Sequence, residues 1–317
     1  MTFMSVHSSN VDSTLKDFLT ISARRIQRRD DWFTRFTIDD FMPSDVDHNL
    51  RSSFPNWIIE DLPADVLNVS VGLDDTKIKK FLTENAEWRG YVEYLTSSFF
   101  LDELISVFEP EIRRRYQKVW RPFLSRRPLR RENLFLTVLF SASRRGFRLT
   151  PHSDDKFKVV SLIHYFPEFA NKGHAAAGTR FFTPRNQQLS VTALRSHSNW
   201  SRGIRKFLPF RLAPSFEYSL SRRRTESESV DSTQLAEFLE TFKSSEILEY
   251  SPNRLTGFIK NAWSVHEVDL SDFPADELRR AIIVNVRLVP PYSVEFLDQV
   301  DKILSSTKGA IKKILGK

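Results

Sequence analysis

No cysteine occurs anywhere in the 317 residues. Disulfides, thiolate metal sites and cysteine nucleophiles are therefore excluded together, and a metal would have to be bound by His, Asp or Glu. The same absence fits a reducing, cytoplasmic location, which is the expectation adopted. Long apolar runs are missing as well. None approaches the roughly 20 residues a membrane helix needs, and residues 1–30 carry charges from Asp12 onward and lack the apolar block of a signal peptide. No internal repeat is visible. With 40% hydrophobic and 27% charged residues, the chain has the means to bury one large core with appended helices.

A basic excess is present but local. The net charge is +7, and residues 185–224 alone hold nine Lys or Arg against one acid, Glu217. Residues 225–250 reverse this, with seven acids against Lys243. Everything outside residues 185–224 sums to −1, so nucleic acid is not the favoured partner of the fold as a whole. The basic segment would draw an anionic partner: a phosphorylated or nucleotide-linked molecule, an acidic glycan, or nucleic acid. Trp200, Phe207 and Phe210 interleave with its charges and could stack on a base or sugar. The plainer reading is that the two oppositely charged halves pair with each other.

Hydrophobic period divides the chain. Leu15, Phe18, Leu19 and Ile26 fall at helical spacing behind a cap at Asp12 or Ser13, with Arg24, Arg25, Arg28 and Arg29 mostly off that stripe. Residues 54–61 read as an aromatic, β-branched leading strand ended by Leu62-Pro63. Residues 76–116 are helical again, with Phe99, Phe100, Leu104 and Phe108 as core candidates and Pro110 as an interruption. Strand composition then takes over at 133–140, 147–150, 158–166, 178–183, 254–259 and 279–287. Between the fourth and fifth of these the rhythm stops for about 65 residues, apart from a helix at 234–243 capped by Ser232, so residues 185–250 read as an insertion or lid. Helices followed by many short strands point to an α+β, mainly β protein with a β-sandwich or jelly roll.

Seven histidines are present. His152-Ser153-Asp154 is an H-x-D motif in an expected turn between two strands. A His and an Asp two residues apart in extended chain can face one side and share an ion. His266, just after a later strand, would complete a two-His, one-carboxylate facial triad, the arrangement that leaves open positions on ferrous iron. His164 alternates away from Tyr165 and reads as structural or solvent-facing. His174 and His197 carry no assignment.

The run Pro151-His152-Ser153-Asp154, then Lys158 and residues 161–165, resembles the first metal motif of the iron- and 2-oxoglutarate-dependent oxygenases, in the subgroup related to prolyl hydroxylases. Gly178-Thr179-Arg180-Phe181-Phe182 with Pro184 is similar to a further strand of that subgroup. Pro252-Asn253-Arg254-Leu255 with Phe258, then Ser264, His266 and Val268, then Arg279-Arg280-Ala281-Ile282, resembles its second half. Residues 54–62 look like the strand ahead of its core. The resemblance spans about 230 residues with the motifs in order. It implies a double-stranded β-helix (jelly roll, cupin-like) with supporting N-terminal helices, and Fe(II) held by His152, Asp154 and His266. It also implies 2-oxoglutarate and O2 as co-substrates. The distal carboxylate of the 2-oxo acid needs a bidentate partner, which Arg279 or Arg280 offers. In a strand the two face opposite ways, and the family's spacing favours Arg279. Tyr165, on the strand face of Ser161, matches a tyrosine that donates to the co-substrate. The implied reaction is conversion of 2-oxoglutarate to succinate and CO2 with oxidation, most simply hydroxylation, of a substrate C–H bond.

One departure stands out. His152 and His266 are 114 residues apart, roughly twice the gap usual in the family, and the insertion accounts for the excess. The resulting organisation is a helical extension over 1–50, an oxygenase domain over 51–292 containing the insertion, and a tail over 293–317. In that tail Ile303, Leu304, Ile311, Ile314 and Leu315 could dock a helix on the barrel or on a second subunit. Two other readings compete. A hydrolase or isomerase with a jelly-roll metal site would have no use for the Arg279 pair. A non-catalytic binding module whose basic insertion grips nucleic acid or an anionic glycan would survive removal of the metal ligands.

Overall fold

A computed structural model describes residues 26–124, 129, 131–155, 157–168, 174–185, 232–261 and 263–289. The helix expected upstream of Ile26, the basic half of the insertion and the C-terminal tail lie outside the described residues. In chain order the elements are β1 (Gln27–Arg29), β2 (Arg35–Ile38), α1 (Ser44–Ser52), α2 (Trp57–Glu60), β3 (Asn68–Gly72), α3 (Thr76–Glu84), α4 (Ala86–Thr96) and α5 (Ser98–Leu124). There follow β4 (Leu134–Ser143), β5 (Arg148–His152), β6 (Lys158–Tyr165), β7 (His174–Pro184), α6 (Ser232–Thr241), β8 (Phe242–Tyr250), β9 (Leu255–Ile259), β10 (Val265–Asp269) and β11 (Arg279–Leu288). Among the described residues no helix is long and apolar enough to cross a membrane.

Two antiparallel sheets form. One has seven strands in the order β1-β2-β9-β6-β11-β4-β3, the other four in the order β5-β10-β7-β8. From β4 to β11 the chain passes from one sheet to the other at every connection except β7 to β8. Alternate residues of the seven-stranded sheet serve two cores, as the pleat requires. Phe140, Leu162, Ile282 and Val284 join the helices in one large cluster with Trp88, Phe54 and Phe108. Tyr165 and Ala281 instead meet Ala177, Tyr250 and Val268 of the smaller sheet, which joins the two sheets face to face.

Local chemistry explains the helices. Asp75 caps α3 by accepting from the backbone N–H groups of Lys77 and Ile78. α5 is kinked at Phe108, with φ −118° and ψ 21°, two residues before Pro110, whose ring cannot supply the helical N–H.

Three expectations need correction. Residues 54–61, read as a strand, contain the helical turn α2. Its β-branched side chains are packing residues: Ile58 and Ile59 are buried with Phe54 against the helical core, and strand propensity yields to that burial. Residues 27–29, read as continuing the N-terminal helix, form β1 and pair with β2, so part of the stretch expected to be helical extends the larger sheet. Residues 242–250 are not part of an interrupted rhythm but form β8. This edge strand pairs with β7 alone and has register shifts, so its buried Phe242, Leu248 and Tyr250 lack the clean alternation that would have marked it.

At Gly178 the backbone of β8 leaves no room for a side chain on β7. A Cβ there would run into the carbonyl oxygen of Leu248 and the Cα of Glu249, both backbone. Gly178→Ala should therefore lower stability by roughly 2–3 kcal/mol, read as a shift in the urea midpoint. A variant as stable as the wild type would mean this approach is not held in solution.

Candidate metal centre

β5 and β10 are neighbours in the smaller sheet, and their register sets His152 directly opposite His266. Directly paired residues share a face, and the two rings lie 4.4 Å apart between centroids. The pairing then shifts by one residue, since Val268 pairs with Leu149. His266 and Val268 have the same parity, whereas Leu149 and His152 do not. The irregularity at Thr150-Pro151 lets Leu149 join the inner core and His152 still face His266. Proline suits that place, because it cannot donate to a ladder and this is an edge strand.

Asp154 follows two residues later. One donor atom from each of His152, Asp154 and His266 lies within 4.8 Å of the others, and all three residues are buried. Each imidazole is oriented by its own backbone: Nδ1 of His152 meets Thr150 O at 2.9 Å, and Nδ1 of His266 meets Ser264 O at 3.0 Å. A carbonyl only accepts, so each Nδ1 carries the hydrogen and each Nε2 keeps a lone pair. Phe258 and Phe181 wall the His266 ring, with centroids 4.7 and 5.8 Å away. Asp154 accepts from Lys158 Nζ at Oδ1 and from the Ser161 hydroxyl at Oδ2, both at 2.7 Å. Burial pushes the Asp154 carboxyl up, but Lys158, the two imidazoles and Lys260 outweigh it and hold it well below the usual carboxylate range. Ser161 lies opposite Asn285 of β11, 3.3 Å from its side-chain oxygen.

At the other end of β11 the two arginines part, as strand alternation requires. Arg279 turns between the sheets: Nε donates to Ala177 O at 2.7 Å, and its guanidinium lies 5.2 Å from the Tyr165 ring centroid and 6.0 Å from that of Tyr250. Arg280 turns to the helical layer, donating to Phe166 O at 2.8 Å over the Phe54 ring. The Tyr165 hydroxyl meets Thr179 at 2.9 Å. His164 is wholly buried, 2.6 Å from the Tyr91 hydroxyl, so the solvent-facing alternative for it is wrong. Sequence reasoning overlooked Asn285 and Tyr250. Asn285 is an even number of residues from Arg279 and so was within reach of strand parity. Tyr250 sits in the strand that went unrecognised.

No family model matches the chain. None of the curated proteins matches it. Among solved structures it is similar to a Pseudomonas putida prolyl-4-hydroxylase, 11% identical over 82% of this chain and 95% of that one, with a TM-score of 0.34. It is also similar to AviO1 from Streptomyces viridochromogenes Tue57, 10% identical over 89% and 99% with a TM-score of 0.41. A third is the epimerase SnoN in complex with Fe3+, alpha ketoglutarate and nogalamycin RO, 10% identical over 89% and 88% with a TM-score of 0.40. Likeness this remote assigns no function, which has to come from the chain's own side chains.

His152, His164 and His266 are all held below the ordinary imidazole value of 6.5, the first two at about 3, with burial the leading cause in each. Below pH 6.5 the unfolded chain takes up protons there that the folded chain refuses. Stability is therefore whole above that pH and falls as the pH drops toward 3, by about 1.4 kcal/mol per unit for each of His152 and His164, with His266 contributing in the same direction. Urea unfolding of chelator-treated protein between about pH 7.5 and 5 should show the midpoint falling throughout the lower half of that range. A flat profile would contradict neutral, buried imidazoles.

Proposed function

We propose that the chain is an Fe(II)- and 2-oxoglutarate-dependent oxygenase that uses dioxygen to hydroxylate a substrate C–H bond, releasing succinate and CO2. The observation that carries this reading is the donor set. Two neutral imidazoles have their Nδ1–H groups spent on backbone carbonyls and their Nε2 lone pairs left over, beside an ionised carboxylate, with all three donors inside 4.8 Å. Nitrogen and oxygen donors of this kind suit ferrous iron, and three protein ligands leave positions open for small molecules. Carbonyl acceptors on the far ring nitrogens are the usual outer support of metal-binding histidines. Bound iron would supply the redox chemistry toward dioxygen that no side chain here can provide.

The remaining residues have roles of holding and shielding. Arg279 would take the distal carboxylate of 2-oxoglutarate. Its guanidinium is buried between the sheets, flanked by the Tyr165 and Tyr250 rings, with the Tyr165 and Thr179 hydroxyls in contact with each other nearby. A planar cation already anchored through Nε keeps its remaining donors for a bidentate carboxylate. Arg280, directed at Phe54 and the helices, supports the fold instead. Ser161 orients Asp154, and Phe181 and Phe258 keep water from the His266 side. The path of β4–β11 through two antiparallel sheets, with inner strands β9-β6-β11-β4 facing β5-β10-β7-β8, supports a double-stranded β-helix.

Anaerobic addition of Fe(II) and 2-oxoglutarate should produce the weak visible charge-transfer band of a chelated 2-oxo acid. His266→Ala should abolish the band. Arg279→Met should raise the 2-oxoglutarate concentration needed for it by about 30-fold or more, the loss expected when a buried charge partner is removed. A wild-type protein with no band, or a band indifferent to His266→Ala, refutes the assignment. Oxygen-dependent succinate formation, screened against pools of anionic metabolites for a mass gain of one oxygen, then seeks the substrate.

A further inference from the structure

Asp154 is the only anion in the donor set, and neither of its oxygens is bare. Lys158 Nζ holds Oδ1 and the Ser161 hydroxyl holds Oδ2. The Lys158 side chain is 19% exposed and that of Asp154 6%, so water screens this pair weakly. Lys158 is not what fixes the turn into β6. The neighbouring Asp155 is paired with Arg287 of β11 at 3.0 Å and accepts the Phe157 backbone N–H at 2.9 Å. With that separate latch in place, the ammonium of Lys158 bears on the carboxylate itself.

Such a contact has consequences for a cation held by the same carboxylate. An ammonium bonded to one oxygen withdraws electron density from the ligand and sets a positive charge close to the metal. Every metal cation is then bound less tightly. A trivalent ion loses more than a divalent one, because the repulsion scales with charge. Lys260, buried and within electrostatic reach of Asp154 and His266, acts in the same direction. Resting on the iron-binding reading above, we infer that Lys158 is a positioning residue that acts through Asp154, staying on the carboxylate when the metal is bound and favouring ferrous over ferric iron. The benefit is functional, since ferric iron cannot reduce dioxygen. Looser metal binding accompanies it.

The test uses the full chain and three variants: Lys158→Met, Lys158→Gln and Lys158→Arg. Co(II) affinity is measured by competition with a chelator of known strength. The Fe(III)/Fe(II) midpoint is measured by mediated titration followed through the ferric paramagnetic signal. Lys158→Met should bind Co(II) about tenfold or more tighter and have a lower midpoint. Lys158→Gln, which keeps a hydrogen-bond donor without the charge, should shift the same way and serves if the methionine variant does not fold. Lys158→Arg should stay near the wild type. Unchanged or weaker Co(II) binding with an unmoved midpoint in the neutral variants overturns the role of Lys158 while leaving the iron site standing. If instead the wild type takes up Co(II) no better than His266→Ala, the iron-binding reading itself has failed.

Discussion

The direct pairing of His152 with His266 across β5 and β10 is the contact on which the centre is built. Side chains alternate along a strand, so a slip of one residue would turn one imidazole to the outer face of the sheet and leave no pair. The neighbouring apolar contacts hold that register. Val268 and Leu149 pair inside the core shared by the two sheets, and the one-residue irregularity at Thr150-Pro151 reconciles their parity with that of the histidines. Backbone carbonyls two residues before each histidine then set the tautomer. Register, parity and tautomer thus follow from one short stretch of ladder.

The larger sheet organises the facing side of the space between the sheets by the same rule. On β11, Arg279 and Arg280 are both buried, but one faces the smaller sheet and the other the helices. Burial alone would not tell them apart; the face does. On the Arg279 face the strand later offers Asn285 to Ser161, so the arginine and the Asp154 side of the three-residue group are joined by a single strand surface. The helices α1–α5 cover the opposite face with Trp88, Phe54 and their neighbours, and His152, Asp154 and His266 all lie on the other side.

Much of this was legible beforehand, and the failures have causes. The strands β4, β6, β9 and β11 are dense apolar runs whose composition marks them. The turn α2 was misread because Trp57, Ile58 and Ile59 favour strands, while their packing against the helical core decides otherwise. β8 was missed because an edge strand with register shifts carries only a broken alternation. β1 was missed because three charged or polar residues at a sheet edge have no periodic signature at all.

The residues themselves determined which chemistry was open. Without cysteine, no thiolate was available to a metal, and a His two residues before an Asp in extended chain is a local fact that needs no fold to be seen. The tertiary structure decided what lies far apart in the chain: that His266 meets His152, that Arg279 rather than Arg280 lies between the sheets, and that Lys158 grips Asp154. The reason is physical. Short-range pattern encodes which side of a strand a residue occupies, whereas the partner across the ladder is chosen by register, and register is settled only when both cores pack.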